Sequence, residues 1–387
     1  MSNHFPLVSV VIPSYNAQAF ISRTLESVLC QTYTNLEVIV VDDGSQDQTA
    51  EIVQRFAQQD ERVRLLQQPN LGVAAARNLG IEQSKGEFIA PIDADDIWYP
   101  QNIEKQVQCF LTSKPSVGLV YSWSVDIDEN DVLTGGFRAA RIEKDVYVTL
   151  LCHDFVANAS CVLIRRSCLE KTGSYNSKLR EQNGQGGEDW DLYLRIAEYY
   201  QFRVVPEFLV GYRKHSNSMS CDCISMAKSR ELIWESISQK YPRMPAIIQQ
   251  LSNSSFYMYL ASASSRTGQH QSTLFWVYKA LKTDCITPFL RLGLYILPLK
   301  SILIILTQSI LSKIANKNRF SIKLKPVFSG SNRPANTIEE MTHQQVNTNI
   351  KVIAEKILHH ILPLLLGTPK TWQTLNFNRH EQISNIY

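Results

Sequence analysis

The chain has 387 residues, 44% hydrophobic and 19% charged, with a formal net charge of +3. That suffices for one large domain or two medium ones of ordinary globular composition. The near balance of charge, without a basic stripe interleaved with aromatics, argues against a nucleic-acid partner. Eight cysteines include no C-x-x-C pair, which argues against a zinc site, and most lie in apolar segments where cysteine acts as a small hydrophobe. The close pair Cys221 and Cys223 reads as reduced loop residues. The opening "MSNHFPLVSVVIP" lacks the basic-then-apolar layout of a signal peptide. A reducing cytoplasmic location follows, either free or at the cytoplasmic face of the membrane.

The first 125 residues alternate strand and helix patterns. Residues 8–12 are a β-branched run ended by Pro13, a buried strand. Residues 20–31 carry a helical apolar stripe of Phe20, Ile21, Leu25, Val28 and Leu29. Strands are predicted at 36–41, 63–67, 87–92 and 117–123, and helices at 48–59, 73–84 and 101–112. This rhythm predicts an α/β fold with a mostly parallel sheet and helices on both faces. Ligands bind such sheets at the carboxyl ends of the strands.

Residues 126–220 are less regular. "VLTGG" reads as a turn, 157–164 as a strand, and 202–205 as a strand ended by Pro206. "REQNGQGG" is a glycine- and glutamine-rich loop, either a lid that orders on ligand binding or an idle surface loop. Helical spacing dominates beyond 225, at 231–241, 246–265 and 272–282. The apolar stretch 288–314 is interrupted by Arg291, Pro298 and Lys300, and a basic run, Lys313, Lys317, Arg319, Lys323 and Lys325, follows. Three readings stay open for it: in-plane membrane attachment, a packed helical domain, or a span. Residues 328–348 read as a linker and 350–366 as a terminal amphipathic helix. The expected organisation is therefore a catalytic domain over 1–225, a helical extension over 226–327, and a linker with a final helix over 328–387. The catalytic domain divides into a nucleotide-binding half to about 125 and an acceptor half.

Four acidic or basic clusters carry chemistry. "IAPIDADDIWYP" places Asp93, Asp95 and Asp96 within four positions at a strand end. Two carboxylates about 4 Å apart repel by roughly 4 kcal/mol at an effective dielectric near 20, so something must offset their charge. Alternate residues of an extended chain share a face, so Asp93 and Asp95 can both point at one ion, with Asp96 turned away. Oxygen ligands in an open site suit Mg2+ or Mn2+ completed by phosphate oxygens and water. A helix N-cap would account for one aspartate, not three. Asp42 and Asp43 end the second strand, where Asp42 can accept from a base N–H or a ribose hydroxyl and Asp43 also suits simple turn geometry. "GGEDWDLYLR" offers Glu188 and Asp189 as a general base, or merely as charge at a helix N-terminus. Trp190 there would give an acceptor a flat apolar face, or belong to the core. "GYRKHSNSMS" offers Arg213 and His215 as diphosphate contacts or, for the histidine, a metal ligand. No G-x-G-x-x-G or G-x-x-x-x-G-K-[ST] follows the first strand, which disfavours a dinucleotide-binding enzyme or a P-loop protein.

In order, "VSVVIPSYN", "VIVVDDGSQDQT", "NLGVAAARNLGIEQSKGEFIAPIDADD", "GGEDWDLYLR" and "YRKHSNSMS" resemble the inverting glycosyltransferases of family 2, with the GT-A fold, over roughly residues 7–220. The resemblance implies a nucleotide-sugar donor, a preference for uridine, and a divalent cation. It matches Pro13, Tyr15 and Asn16 to the first nucleotide-lining loop, Asp42 to a base contact, and Arg77 to an arginine near the diphosphate. It matches Asp93 and Asp95 to the D-x-D pair, Asp95 being the closer match to the metal ligand. Asp189 matches the catalytic base and His215 a histidine near metal and diphosphate. The expected reaction is a single in-line displacement onto a hydroxyl of a glycan or lipid-linked acceptor. Two alternatives remain: an inactive sugar-binding or scaffold protein of the same fold, and a sugar nucleotidyltransferase. The latter would need a glycine-rich basic signature where "PSYNAQAF" stands.

Overall fold

The structure is a computed structural model describing residues 5–156, 158–215, 218–219, 222–284, 293–317 and 350–373. The β-branched runs of the first half form β1 (Val8–Ser14), β2 (Leu36–Asp42), β3 (Val63–Gln67) and β4 (Phe88–Pro91). Helices α1 (Ile21–Leu29), α2 (Thr49–Gln59) and α3 (Val73–Glu82) connect them. The strands pair in parallel in the order β3-β2-β1-β4. Alternate side chains of a strand leave opposite faces, and this sequence makes both faces apolar. Val8, Val10 and Ile12 enter one core with Ile21, Leu25 and Val28 of α1, while Val11 enters the other. On that second face α3 lies close to the sheet. A Cβ built on Gly80 would sit 2.5 Å from Val11 Cγ1, so only glycine permits this approach.

The sheet continues through β8, β6, β9 and β5, with β7 on β6. After β5 (Ile97–Trp98) come α4 (Asn102–Leu111), β6 (Val117–Ile127), β7 (Leu133–Arg138) and α5 (Tyr147–Cys152). Then follow β8 (Val162–Arg165), α6 (Arg166–Thr172), α7 (Lys178–Glu181), α8 (Glu188–Ala197) and β9 (Gln201–Arg213). The β4–β8, β8–β6, β6–β7 and β9–β5 pairs are antiparallel, so the parallel half expected from the sequence passes into a mixed half. Three local expectations fail. Within the strand expected at 157–164, Ala159–Cys161 form a 3-10 turn and β8 begins only at Val162. "VLTGG" lies largely within β7 rather than a turn. The strand expected to stop at Pro206 runs on to Arg213. Its pairing with β6 slips between Ser122↔Val205 and Trp123↔Phe208, and Pro206 falls in that irregularity. Proline has no N–H for the ladder and is tolerated where pairing is broken by a bulge.

Beyond 222 the described residues are mostly helical: α9 (Cys223–Lys240), α10 (Ala246–Arg266), α11 (His270–Thr283), α12 (Gly293–Lys317), α13 (Ile350–Leu366) and α14 (Pro369–Trp372). The expected boundary at 225 is not a break in packing. Ile233, Trp234 and Ile237 of α9 join the same core as Trp190 and Leu192 of α8. The last helices return to this core as well. His359 bonds Thr149 of α5 at 2.8 Å, and Trp372 lies 6.1 Å from the ring of Tyr241. Among the described residues no helix is long and apolar enough to cross a membrane. Pro298 sits inside α12 rather than ending it. Arg291, Arg319, Lys323, Lys325 and the linker expected at 328–348 lie outside the described residues.

Candidate active site

Strands β1, β2 and β4 deliver three loops to one edge of the sheet. The register pairs Ser14 with Asp42 and Val11 with Pro91, so residues 15–16, 42–43 and 92–96 emerge side by side. Tyr15 is 50% exposed there. Asn16 adopts φ 49° and its Oδ1 accepts from Gln46 N at 2.8 Å, tying the first loop to the second. Pro13, expected in that loop, is instead buried inside β1 opposite Val41. Asp42 is buried at the tip of β2, accepting from Ser45 N at 3.2 Å and Gln67 Nε2 at 3.3 Å. Asp43 accepts from the backbone N–H of Leu71 and Gly72, each at 2.8 Å, which fits its reading as a turn residue.

The three aspartates do not sit on extended chain. Asp96 N donates to Asp93 O at 3.1 Å, closing a turn that sends the side chains apart. Asp96 is turned away and fully buried, as expected. It accepts from Ser160 Oγ at 2.5 Å and Arg213 N at 2.8 Å. Burial, with the carboxylates of Asp95 and Asp93 nearby, pushes its carboxyl well above the usual range. Asp95 meets His215, whose Nε2 lies 2.9 Å from its Oδ2. Asp93 meets Arg77. The expectation that Asp93 and Asp95 face one ion together with His215 is therefore not realised. Among the described residues no three His, Cys, Asp or Glu side chains gather into a metal cage. Asp95 and His215, partly open to solvent, fit two ligands of a hard dication whose other positions are filled by a ligand's oxygens and water.

Arg77 is the centre of the site. Helix α3 buries it to 3% exposure. Its Nη2 donates to Asp93 Oδ1 at 2.5 Å and its Nη1 to Asp189 Oδ1 at 2.7 Å. Its guanidinium lies 5.0 Å from the ring centroid of Tyr175. Burial works against its charge, but Asp189 and Asp93 outweigh this and hold its pKa well above the ordinary value. Expected beside a diphosphate, Arg77 is committed to two carboxylates. Burial likewise pushes the Asp189 carboxyl up to about 7, with Arg77 opposing and Asp93 and Glu188 adding to the rise. About a quarter of the Asp189 side chain stays open to solvent. Gly187 makes its placement possible: this residue has φ 113° immediately before α8, a backbone state L side chains avoid.

Three expected site residues serve structure instead. Glu188 is buried and accepts from Gly186 N at 2.9 Å, bracing the loop before α8. Trp190 is buried, with its Nε1 donating to Leu150 O at 2.8 Å, so it offers no face to an acceptor. Arg213 is buried over Phe20. Its Nε donates to Asp95 O at 2.6 Å, and its Nη atoms hold Asp128 and Asp131. It shapes the aspartate turn from behind. Sequence reasoning missed Ser160, which anchors both Asp93 N and Asp96, and Tyr175 beneath Arg77. It also missed Arg180, which reaches across to Asn70 and Gly72. Ser160 lies in a segment read only as a strand, and Tyr175 in one with no recognisable pattern.

The chain is similar to known glycosyltransferases. A family model described as "Glycosyl transferase family 2" matches residues 9–173. A hyaluronan synthase of Pasteurella multocida is 28% identical over 60% of this chain, although the match covers only 23% of that longer protein. A mannosyltransferase of Pyrobaculum calidifontis, solved in complex with GDP-Man and Mn2+, superposes with a TM-score of 0.50 at 18% identity, over 82% of this chain and 89% of that one, a likeness of fold. The glycosyltransferase GlyG of Streptococcus pneumoniae is 48% identical over 59% of this chain and 77% of its own length. By this match and the family model, the chain belongs to glycosyltransferase family 2.

Proposed function

We propose that the chain is an inverting glycosyltransferase, moving a sugar from a nucleoside diphosphate donor, expected to be a UDP-sugar, to a hydroxyl of a glycan or lipid-linked acceptor. The observation that carries this reading is the Asp93–Arg77–Asp189 bridge. One buried guanidinium ties the aspartate turn to a carboxyl raised to about 7. A general base works best with a pKa near the operating pH. Asp189 takes the acceptor hydroxyl's proton as its oxygen bonds to the anomeric carbon. The bond from that carbon to the diphosphate breaks on the opposite face, so the centre inverts and no protein nucleophile is needed. Arg77 acts as a positioning residue, holding Asp189 and Asp93 in fixed relation. Asp95 and His215 would hold Mg2+ or Mn2+, which when bound neutralises charge on the departing diphosphate. Tyr15, Asn16 and Asp42 flank the nucleotide. The hyaluronan synthase named among the relatives favours a glycan acceptor.

Asp95→Ala is expected to weaken Mn2+-dependent binding of a UDP-sugar by about tenfold or more in calorimetric titration. Affinity equal to the wild type would remove Asp95 from the site.

We further propose that α12 lies on the membrane surface. Tyr295, Ile296, Leu299, Ile302, Leu303 and Leu306 are spaced along one helical face and are 45–62% exposed. Co-sedimentation with anionic vesicles is expected for the wild type and strongly reduced for Leu299→Glu/Leu303→Glu. Equal recovery of both proteins in the supernatant would refute it.

A further inference from the structure

A cavity of about 220 Å3, away from the candidate active site, opens between α9 and α10. Its wall contains Arg230, Trp234, Gln249, Asn253, Phe256 and Tyr257. Arg230 is 9% exposed, and its guanidinium carbon lies 3.4 Å from the ring centroid of Trp190 and 5.0 Å from that of Phe256. One Nη donates to Ser252 Oγ. Among the described residues no carboxylate forms an ion pair with it, and its Nε has no hydrogen-bond partner. Trp234, 2% exposed on the same helix, also has an Nε1 without a partner. A buried charge without a counter-ion and buried donors without acceptors are both costly. Burial accordingly lowers the Arg230 pKa to about 9, although Asp154 acts the other way.

The chemistry of the wall defines a ligand. A guanidinium in the wall receives a carboxylate. Aromatic rings with neighbouring amides suit the apolar face and hydroxyls of a sugar ring. The volume lies below the ~300–1,000 Å3 of drug-sized pockets, which limits the occupant to about one ring. Glu231 and Glu235 stand at the mouth, and Glu231 is mostly solvated and 3.7 Å from Lys228.

We propose that the cleft between α9 and α10 binds a single sugar ring bearing a carboxylate, with the acid on Arg230 and the ring against Phe256 and Tyr257. This goes beyond the transfer reaction and does not depend on the roles of Asp95 or Asp189. Titration of D-glucuronate into the full chain is expected to show saturable binding with a Kd on the order of 1 mM. D-glucose, without the acid, should bind at least about tenfold more weakly. Arg230→Lys should weaken glucuronate about tenfold by removing the forked donor. Ser238→Trp, at an exposed rim position, should fill the mouth and abolish binding. If Arg230→Lys does not fold, Ser238→Trp decides. UDP titrated into the same samples reads the donor site separately and should be unchanged by Ser238→Trp. No saturable glucuronate binding, equal affinity for glucose, or glucuronate binding that survives Ser238→Trp would each overturn the proposal.

Discussion

Asp189→Asn should lower kcat by about 10²–10⁴-fold while leaving UDP-sugar affinity near the wild-type value. The amide keeps the shape and the contact with Arg77 Nη1 through its oxygen, but it cannot accept the acceptor's proton. Single-turnover transfer together with donor titration separates the two effects, and a variant transferring at the normal rate would remove Asp189 from the chemistry. The pH profile gives a second check. The carboxyl must be ionised to act, and burial pushes it up to about 7, so kcat/KM should rise with pH through an inflection near 7. Stability runs the other way. An unfolded aspartate titrates near 4, so between about 4 and 7 the folded chain binds the extra proton. Stability from this group is full at low pH and is lost as pH rises through the folded value.

The other large effect is expected at Arg77. Arg77→Met removes the cation from between Asp93 and Asp189 and leaves two carboxylates facing each other across its former place. Breaking a buried pair in this way costs about 3–5 kcal/mol, readable as a fall in the denaturant midpoint. Arg77 also holds the Asp189 pKa down, so its loss should move the ascending limb of the pH–rate profile to higher pH. Adding Asp93→Asn should return part of both changes by removing the repulsion. An inflection that stays in place in Arg77→Met would show that the guanidinium does not tune the base.

Much of the first 125 residues was legible because each parallel strand is a mostly apolar run bounded by turn residues, as in Leu36–Asp42 before "DGS". The mixed half was less so. Pro206 reads as a stop unless the slip in pairing with β6 is known, and that slip is a tertiary fact. The site shows the same divide. The motifs locate Asp93, Asp95, Asp189 and His215 at one edge, but adjacency along the chain does not say which way a side chain turns. Trp190 follows Asp189 directly yet faces the core, because successive positions on a helix point about 100° apart. Arg213 lies two residues from His215 and supports the aspartate turn from within the protein. Ser160 was invisible because its role depends on β8 bringing it beside a turn more than 60 positions earlier.

The docking of α13 on α5 has a consequence for biogenesis. Thr149 and His359 stand 210 positions apart in sequence, so this flank of the protein closes only after residue 359 has left the ribosome. Contacts of such long sequence separation form late. Until then the nascent chain displays Tyr147 and Tyr241 to its surroundings, so the interval between synthesis of α5 and docking of α13 and α14 is the time when chaperone protection matters most.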